Sequence, residues 1–228
     1  MSTFTDLTAA DGFVFPAYLA QPAGTPKGAV VVLQEIFGTN SHIRAVADGY
    51  AAAGYLAVAP ALFHRVQPGV DLGYTAADIQ AGIALKAAAE ALGVATLMLD
   101  VQAAVAYAAQ AGKVGCVGYC WGGLLGWRAA CLVPGLSAAV TYYGGGMTAA
   151  AEVARTPQVP VLSHFGERDH SIALDTVQAF AQAHRAVELH LYPADHGFNC
   201  DQRGAFDAPA AALARERSLA FFAEHLGG

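Results

Sequence analysis

Lysine is scarce in this chain of 228 residues: there are three, and Asp and Glu together outnumber Lys and Arg by 18 to 12. The clustered basic stripe that nucleic-acid binding requires is therefore missing, and the formal charge of −6 describes a mildly acidic surface. Charged residues make up 13% of the chain and hydrophobic ones 55%, a balance that excludes a disordered tail and allows a sizeable core. Cysteine is also sparse. Cys116, Cys120, Cys131 and Cys200 are too few for a disulfide framework, fit no zinc-binding spacing and include no CxxC pair. Reduced thiols in a cytoplasm are expected. The opening MSTFTDLTAADG has neither a basic n-region nor an apolar h-region, so no signal peptide is predicted. No apolar run reaches membrane-spanning length without polar or turn residues, so no membrane association is predicted either. Repeats, low-complexity tracts and linkers are absent, and residues 1–228 read as one domain.

The elements that remain alternate. FTDLTAADGFVFPAYLAQP holds two extended runs about Asp11-Gly12, a hairpin signal. GAVVVLQEI (28–36) and YLAVAPAL (55–62) are continuous apolar runs, as strands buried on both faces should be. KVGCVGY (113–119), LSAAVTYY (136–143), PVLSHF (160–165) and VELHLYP (187–193) complete the strand set. Helices are predicted over 41–54 with Ser41 as N-cap, about 75–92, 95–111, 121–132, 171–185 and about 205–225. In the third of these, Leu97, Val101 and Val105 fall on one stripe. The pattern predicts an α/β fold, a mostly parallel sheet of about eight strands with helices on both faces.

Chemistry enters at GCVGYCWGG (115–123), where a strand runs into a helix through a cysteine clamped between glycines. Gly118-Tyr119-Cys120-Trp121-Gly122 is G-x-C-x-G, the thiol form of the nucleophile elbow. At such a corner the side chain projects from the carboxyl end of the strand, and the next helix points free N–H groups at the same spot. Those groups favour thiolate and can hold an oxyanion. The alternative is a small buried hydrophobe, the commoner fate of a free cysteine, which fits Cys116 and Cys131 better than Cys120; Cys200 is left undecided. An acid and a histidine should follow in that order, each after a later strand. Asp169 follows PVLSHF and His196 follows VELHLYP. Glu167 and Asp195 are rivals for the acid, and the remaining histidines read as surface or structural. Glu35, ending an apolar run, has two readings: a solvent-exposed or turn-capping glutamate, or a carboxylate beside the thiol that raises its pKa or takes its proton.

QEIFG (34–38), VGYCWGG (117–123), TYYGGG (141–146), the GERDHSI loop, DHGFNCD and LARERSLAFF together resemble the dienelactone hydrolases, a branch of the α/β-hydrolase superfamily. The resemblance runs over essentially the whole chain. It implies Cys120 as nucleophile, His196 as general base, Asp169 as its orienter, and Glu35 as the group that holds or deprotonates the thiol. It further implies an oxyanion hole from the backbone N–H groups of Ile36 and Trp121, an acyl-thioester route for opening a lactone or ester, and no need for a metal or organic cofactor. Members of the family hold a substrate carboxylate with two arginines. Here the helix TAADIQAGIALKAAAE has none, and the first arginine after His196 is Arg203. Arg203 or Arg65 could substitute, although either could be a solvated surface charge; Tyr143 is a third substrate-binding candidate. A general carboxylesterase or thioesterase is thus the competing enzyme reading. A non-turnover thiol sensor, with Cys200 as resolving thiol, is the reading from another class.

Overall fold

The hydrophobic runs form the centre of a sheet. In the computed structural model, which describes residues 2–227, β3 (Ala29–Leu33), β4 (Leu56–Pro60), β5 (Val114–Tyr119) and β7 (Val161–Gly166) are buried at every position. Strands covered on both faces have no reason to alternate polar and apolar residues. With β1 (Ser2–Thr8), β2 (Val14–Ala20), β6 (Leu136–Tyr142) and β8 (Glu188–Tyr192) they make one eight-stranded sheet of order β1-β2-β4-β3-β5-β6-β7-β8. The first two strands form the expected hairpin, with Gly12 at φ 85° in its turn, and β2 pairs antiparallel with β4. Every pairing from β4 through β8 is parallel.

Chain order reverses at β3, which has β4 on one side and β5 on the other. The segments leaving β3 and β5 therefore diverge and open a crevice at their carboxyl ends, the place where doubly wound sheets bind ligands. Glu35 and Ile36 follow β3, and Cys120 and Trp121 follow β5. One face of the sheet carries α1 (Ser41–Ala52) and α7 (Ala208–Leu226), joined through Tyr50 and Phe222. The other carries α3 (Val94–Ala108), α4 (Trp121–Leu132) and α6 (Leu174–Ala183), with Trp127 of α4 edge-on to Phe180 of α6. The stripe Leu97, Val101 and Val105 is buried as its spacing requires. Helix α2 (Ala76–Ala91) lies outside α3.

The boundaries depart from the sequence reading for identifiable reasons. Asn40, not Ser41, caps α1: its side chain accepts the Ile43 N–H at 3.2 Å. Helix α6 starts at Leu174 rather than 171, because the Asp169 carboxylate already takes the N–H groups of Ser171 and Ile172. Strand β3 stops at Leu33, beyond which the Gln34 side chain leaves the ladder to accept the Leu62 N–H. A single-turn helix, α5 (Ala150–Val153), was not foreseen. The segment Val94–Ala111 is, by length and composition alone, apolar enough to cross a membrane, contrary to expectation; here its apolar stripe faces the sheet.

Under α4 runs a buried ionic cluster. Arg128 bonds Glu152 and Glu90 at 2.9 Å each, Arg155 reaches Glu152 at 2.7 Å, and Glu90 accepts the Trp121 indole N–H at 2.7 Å. The network anchors the first turn of α4, and a charge buried there is tolerable only while paired. Arg128→Ala should leave Glu152 with Arg155 and Glu90 with the Trp121 indole as their remaining partners, and cost about 1–3 kcal/mol in urea denaturation. Removing half-exposed Arg155 should cost clearly less.

Candidate active site

Cys120 sits at φ 56°, ψ −116°, between the last residue of β5 and the first of α4. Only one other non-glycine among the described residues has positive φ, Tyr143 at 38°, immediately after β6. Such conformations cost about 1–3 kcal/mol each and persist where the surroundings enforce them. The enforcement is visible in the glycines. A Cβ on Gly118 would run into the carbonyl oxygen of Gly122, and one on Gly122 into the carbonyls of Leu33 and Gln34. Helix α4 can therefore begin directly at the strand end and lie against the exit of β3. Among the described residues, neither the Ile36 nor the Trp121 N–H has an intramolecular acceptor. The Trp121 ring, stacked on Phe63 at 4.9 Å, holds that end of the helix in place.

Three side chains from three loops meet here. Cys120 Sγ lies 3.1 Å from His196 Nε2, and His196 Nδ1 lies 2.8 Å from Asp169 Oδ2. The other Asp169 oxygen accepts two backbone N–H groups, from Ser171 at 2.7 Å and Ile172 at 3.0 Å, so this buried carboxylate is fully engaged. The rivals fall away: Asp195 accepts the backbone N–H of His196 at 2.6 Å rather than its ring, and Glu167 is exposed. Burial opposes a charge on His196, but Cys120 and Asp169 outweigh it and raise the imidazole from 6.5 to about 10. Such a chain can deliver a thiolate at one end and a proton donor at the other.

Glu35 is wholly buried, so its solvent-exposed reading is excluded. Neither carboxylate oxygen has a hydrogen-bond partner; the nearest cation is Arg203, whose Nη1 stands 3.6 Å from Oε1. Tyr143 adjoins the same pocket, its ring 5.1 Å from that of His196. Burial, with the Glu35 carboxylate nearby, pushes its hydroxyl well above the ordinary value. Arg65 is a correction. It is locked to Asp100 at 2.7 Å and Asp11 at 2.8 Å and covers Phe13, so it is not free to meet a substrate carboxylate.

The sequence profile of the dienelactone hydrolase family matches residues 15–226. The chain belongs to the dienelactone hydrolase family. Among its relatives, a Pseudomonas putida protein named carboxymethylenebutenolidase is 33% identical over 236 residues, covering 93% of this chain and 92% of its own. A Synechocystis protein named "Putative carboxymethylenebutenolidase" is 36% identical over 228 residues, covering 92% and 91%. The crystal structure of a Klebsiella pneumoniae protein, "Putative Dienelactone Hydrolase", superposes with a TM-score of 0.82 at 31% identity, covering 98% of this chain and 99% of that one. The fold is the α/β-hydrolase fold of this family of lactone and ester hydrolases.

Two features of this dienelactone hydrolase family member escaped the sequence reading. His42 and Cys200 are buried close to Glu35, although 7 and 165 residues separate them from it in the chain. No local motif links the three, and His42 reads as an ordinary helix residue. A cavity of about 350 Å³ lies between α1 and α7, lined by His42, Tyr50, Tyr119, Asn199, Asp201 and Arg215 among others. It adjoins the site without including Cys120 or His196.

The raised pKa of His196 carries a stability signature. Protonation is favoured in the folded state, so its contribution is fully present below pH 6.5 and is lost as pH rises through about 10. The wild-type thermal midpoint should fall across that window more steeply than that of His196→Gln. Parallel curves measured by calorimetry would contradict the assignment.

Proposed function

We propose that the protein hydrolyses a lactone or carboxylic ester through an acyl-thioester on Cys120, with His196 and Asp169 completing a triad. The observation that carries this reading is the continuous Sγ–imidazole–carboxylate chain at the strained end of β5. The thiolate of Cys120 adds to the carbonyl carbon, and the carbonyl electron pair moves onto oxygen. The free N–H groups of Ile36 and Trp121 stabilise that oxyanion, each such donor being worth about 2.7–4 kcal/mol. Collapse expels the alkoxide, which takes the proton from His196 Nε2; in a lactone it stays tethered to the acyl group. His196, now neutral, removes a proton from water, and the hydroxide displaces Cys120 as thiolate. Asp169 holds the imidazole tautomer throughout.

Glu35 is read as the group that holds or deprotonates the thiol as substrate arrives, and its burial without hydrogen bonds leaves it free for that task. Arg203 is the cation placed to receive a carboxylated substrate, and Tyr143 borders the same space. An incoming carboxylate would compete with Glu35 for Arg203, releasing Glu35 toward the thiol. With Arg65 committed elsewhere, Arg203 is a single cation and not a two-arginine clamp. A neutral ester is therefore the second substrate class, for which this one cation is not needed.

Initial rates on a dienelactone and a neutral aryl ester, compared between wild type and Cys120→Ala, test the reading. The variant should lose at least about 10³-fold on whichever substrate is cleaved. Retained turnover would sink the nucleophile assignment. Arg203→Ala should raise KM for the dienelactone alone.

A further inference from the structure

Beside the thiol–imidazole pair lies a second cluster, which shares Glu35 with the proposed hydrolysis and adds two side chains, His42 and Cys200, that the hydrolysis does not use. Glu35, His42 and Cys200 are all buried, and each offers a donor atom within 4.8 Å of those of the other two. The Glu35 and His42 side chains are only 1% and 4% exposed. Among the described residues, five buried side-chain oxygen or nitrogen atoms have no hydrogen-bond partner; three of them are Glu35 Oε1, Glu35 Oε2 and His42 Nε2. Unsatisfied buried polar atoms each cost about 1–3 kcal/mol, so three at one point call for a missing partner.

The chemistry of the three donors specifies that partner. Carboxylate, imidazole and thiolate are the ligands of a borderline-soft divalent ion that accepts four-coordination. His42 is already oriented for this role. Its Nδ1 is bonded to Asp201 Oδ1 at 3.1 Å, leaving Nε2 as the free nitrogen. A carboxylate behind a ligating histidine is the usual outer partner at zinc sites.

We propose that Glu35, His42 and Cys200 form a binding site for Zn²⁺, with Asp201 behind His42 and water as the fourth ligand. On binding, the Cys200 thiol releases its proton to solvent, and the thiolate, the Glu35 carboxylate and the neutral imidazole form a complex of zero net charge. The ligand edges of a tetrahedron with bonds of 2.0–2.3 Å are about 3.3–3.8 Å, so donors within 4.8 Å of one another need close by no more than about 1.5 Å. Burial and the neighbouring Glu35 carboxylate hold the Cys200 thiol up at about 11; the ion would offset both effects. Arg203, 21% exposed and 3.6 Å from Glu35, is the charge that the cation would displace from the carboxylate. The cavity between α1 and α7 is lined by His42 and its outer partner Asp201, which brings solvent up to that side of the cluster.

The test uses Cys120→Ser protein, kept reduced with a phosphine, so that the thiol beside His196 cannot ligate. Titration with Zn²⁺ against a chromogenic chelator should show one equivalent bound. Co²⁺ in its place should give a near-ultraviolet thiolate-to-cobalt charge-transfer band. Cys200→Ser in the same background should abolish that band, and Asp201→Asn should weaken Zn²⁺ binding by about 10–100-fold. Asp201 is 64% exposed, so the latter change spares the core. No stoichiometric binding to the Cys120→Ser protein would overturn the proposal, as would a charge-transfer band that survives Cys200→Ser. Because the nucleophile is already removed, either result leaves the hydrolytic reading to be judged separately.

Discussion

Everything at the carboxyl edge of the sheet depends on the turn at Cys120. A side-chain-bearing residue is held at φ 56° because α4 starts without any connecting loop and presses back against the exit of β3. That contact is possible only where Gly118 and Gly122 present bare backbone. The same close approach has three effects. It projects the sulfur from the strand end, it leaves the Trp121 N–H without an acceptor, and it sets the first turn of α4 beside the Gln34–Phe37 segment. The conformational strain is met by the tertiary packing around it, above all the Trp121–Phe63 stack and the Glu90–Arg128–Glu152 network.

The treatment of buried charge differs sharply across the molecule. Arg128, Arg65 and Asp100 lie in closed networks in which carboxylates and guanidinium groups face each other at 2.7–2.9 Å. Asp169 is likewise complete, with its imidazole and two backbone donors. Around Glu35 the accounting fails: the carboxylate, the His42 Nε2 and the Tyr143 hydroxyl are buried without hydrogen bonds. Of the five buried polar side-chain atoms without a partner among the described residues, four belong to this patch, and only His64 Nδ1 belongs to another.

Membership of the dienelactone hydrolase family is carried by nearly the whole chain, whereas the charge available to a substrate depends on a few side chains at the carboxyl edge of the sheet. The family match, over residues 15–226, takes in the corner, the Asp169 loop and the His196 loop. Helix α2 carries no arginine, and its Gly82 lets it lie against the Ile36 carbonyl. Arg65, the other arginine near this end, belongs to a structural pair beneath the N-terminal hairpin. The arginine at Glu35 is Arg203, 3.6 Å from its Oε1.

The sequence by itself determined the eight strands, their parallel centre and the placing of Cys120, Asp169 and His196 in that order after successive strands. These are written in local signals: continuous apolar runs, glycines flanking one cysteine, and polar loops after particular strands. The ends of α1 and α6 were less legible, because they depend on whether Asn40 and Asp169 spend their oxygens on nearby N–H groups. Only the tertiary structure decided that Glu35 is buried with no hydrogen bond and Arg203 3.6 Å away, that Arg65 is consumed by Asp100, and that His42 and Cys200 converge on Glu35. Burial and pairing of a charged side chain arise from segments brought together by the sheet order. No periodicity along the chain carries information about a neighbour 165 residues away.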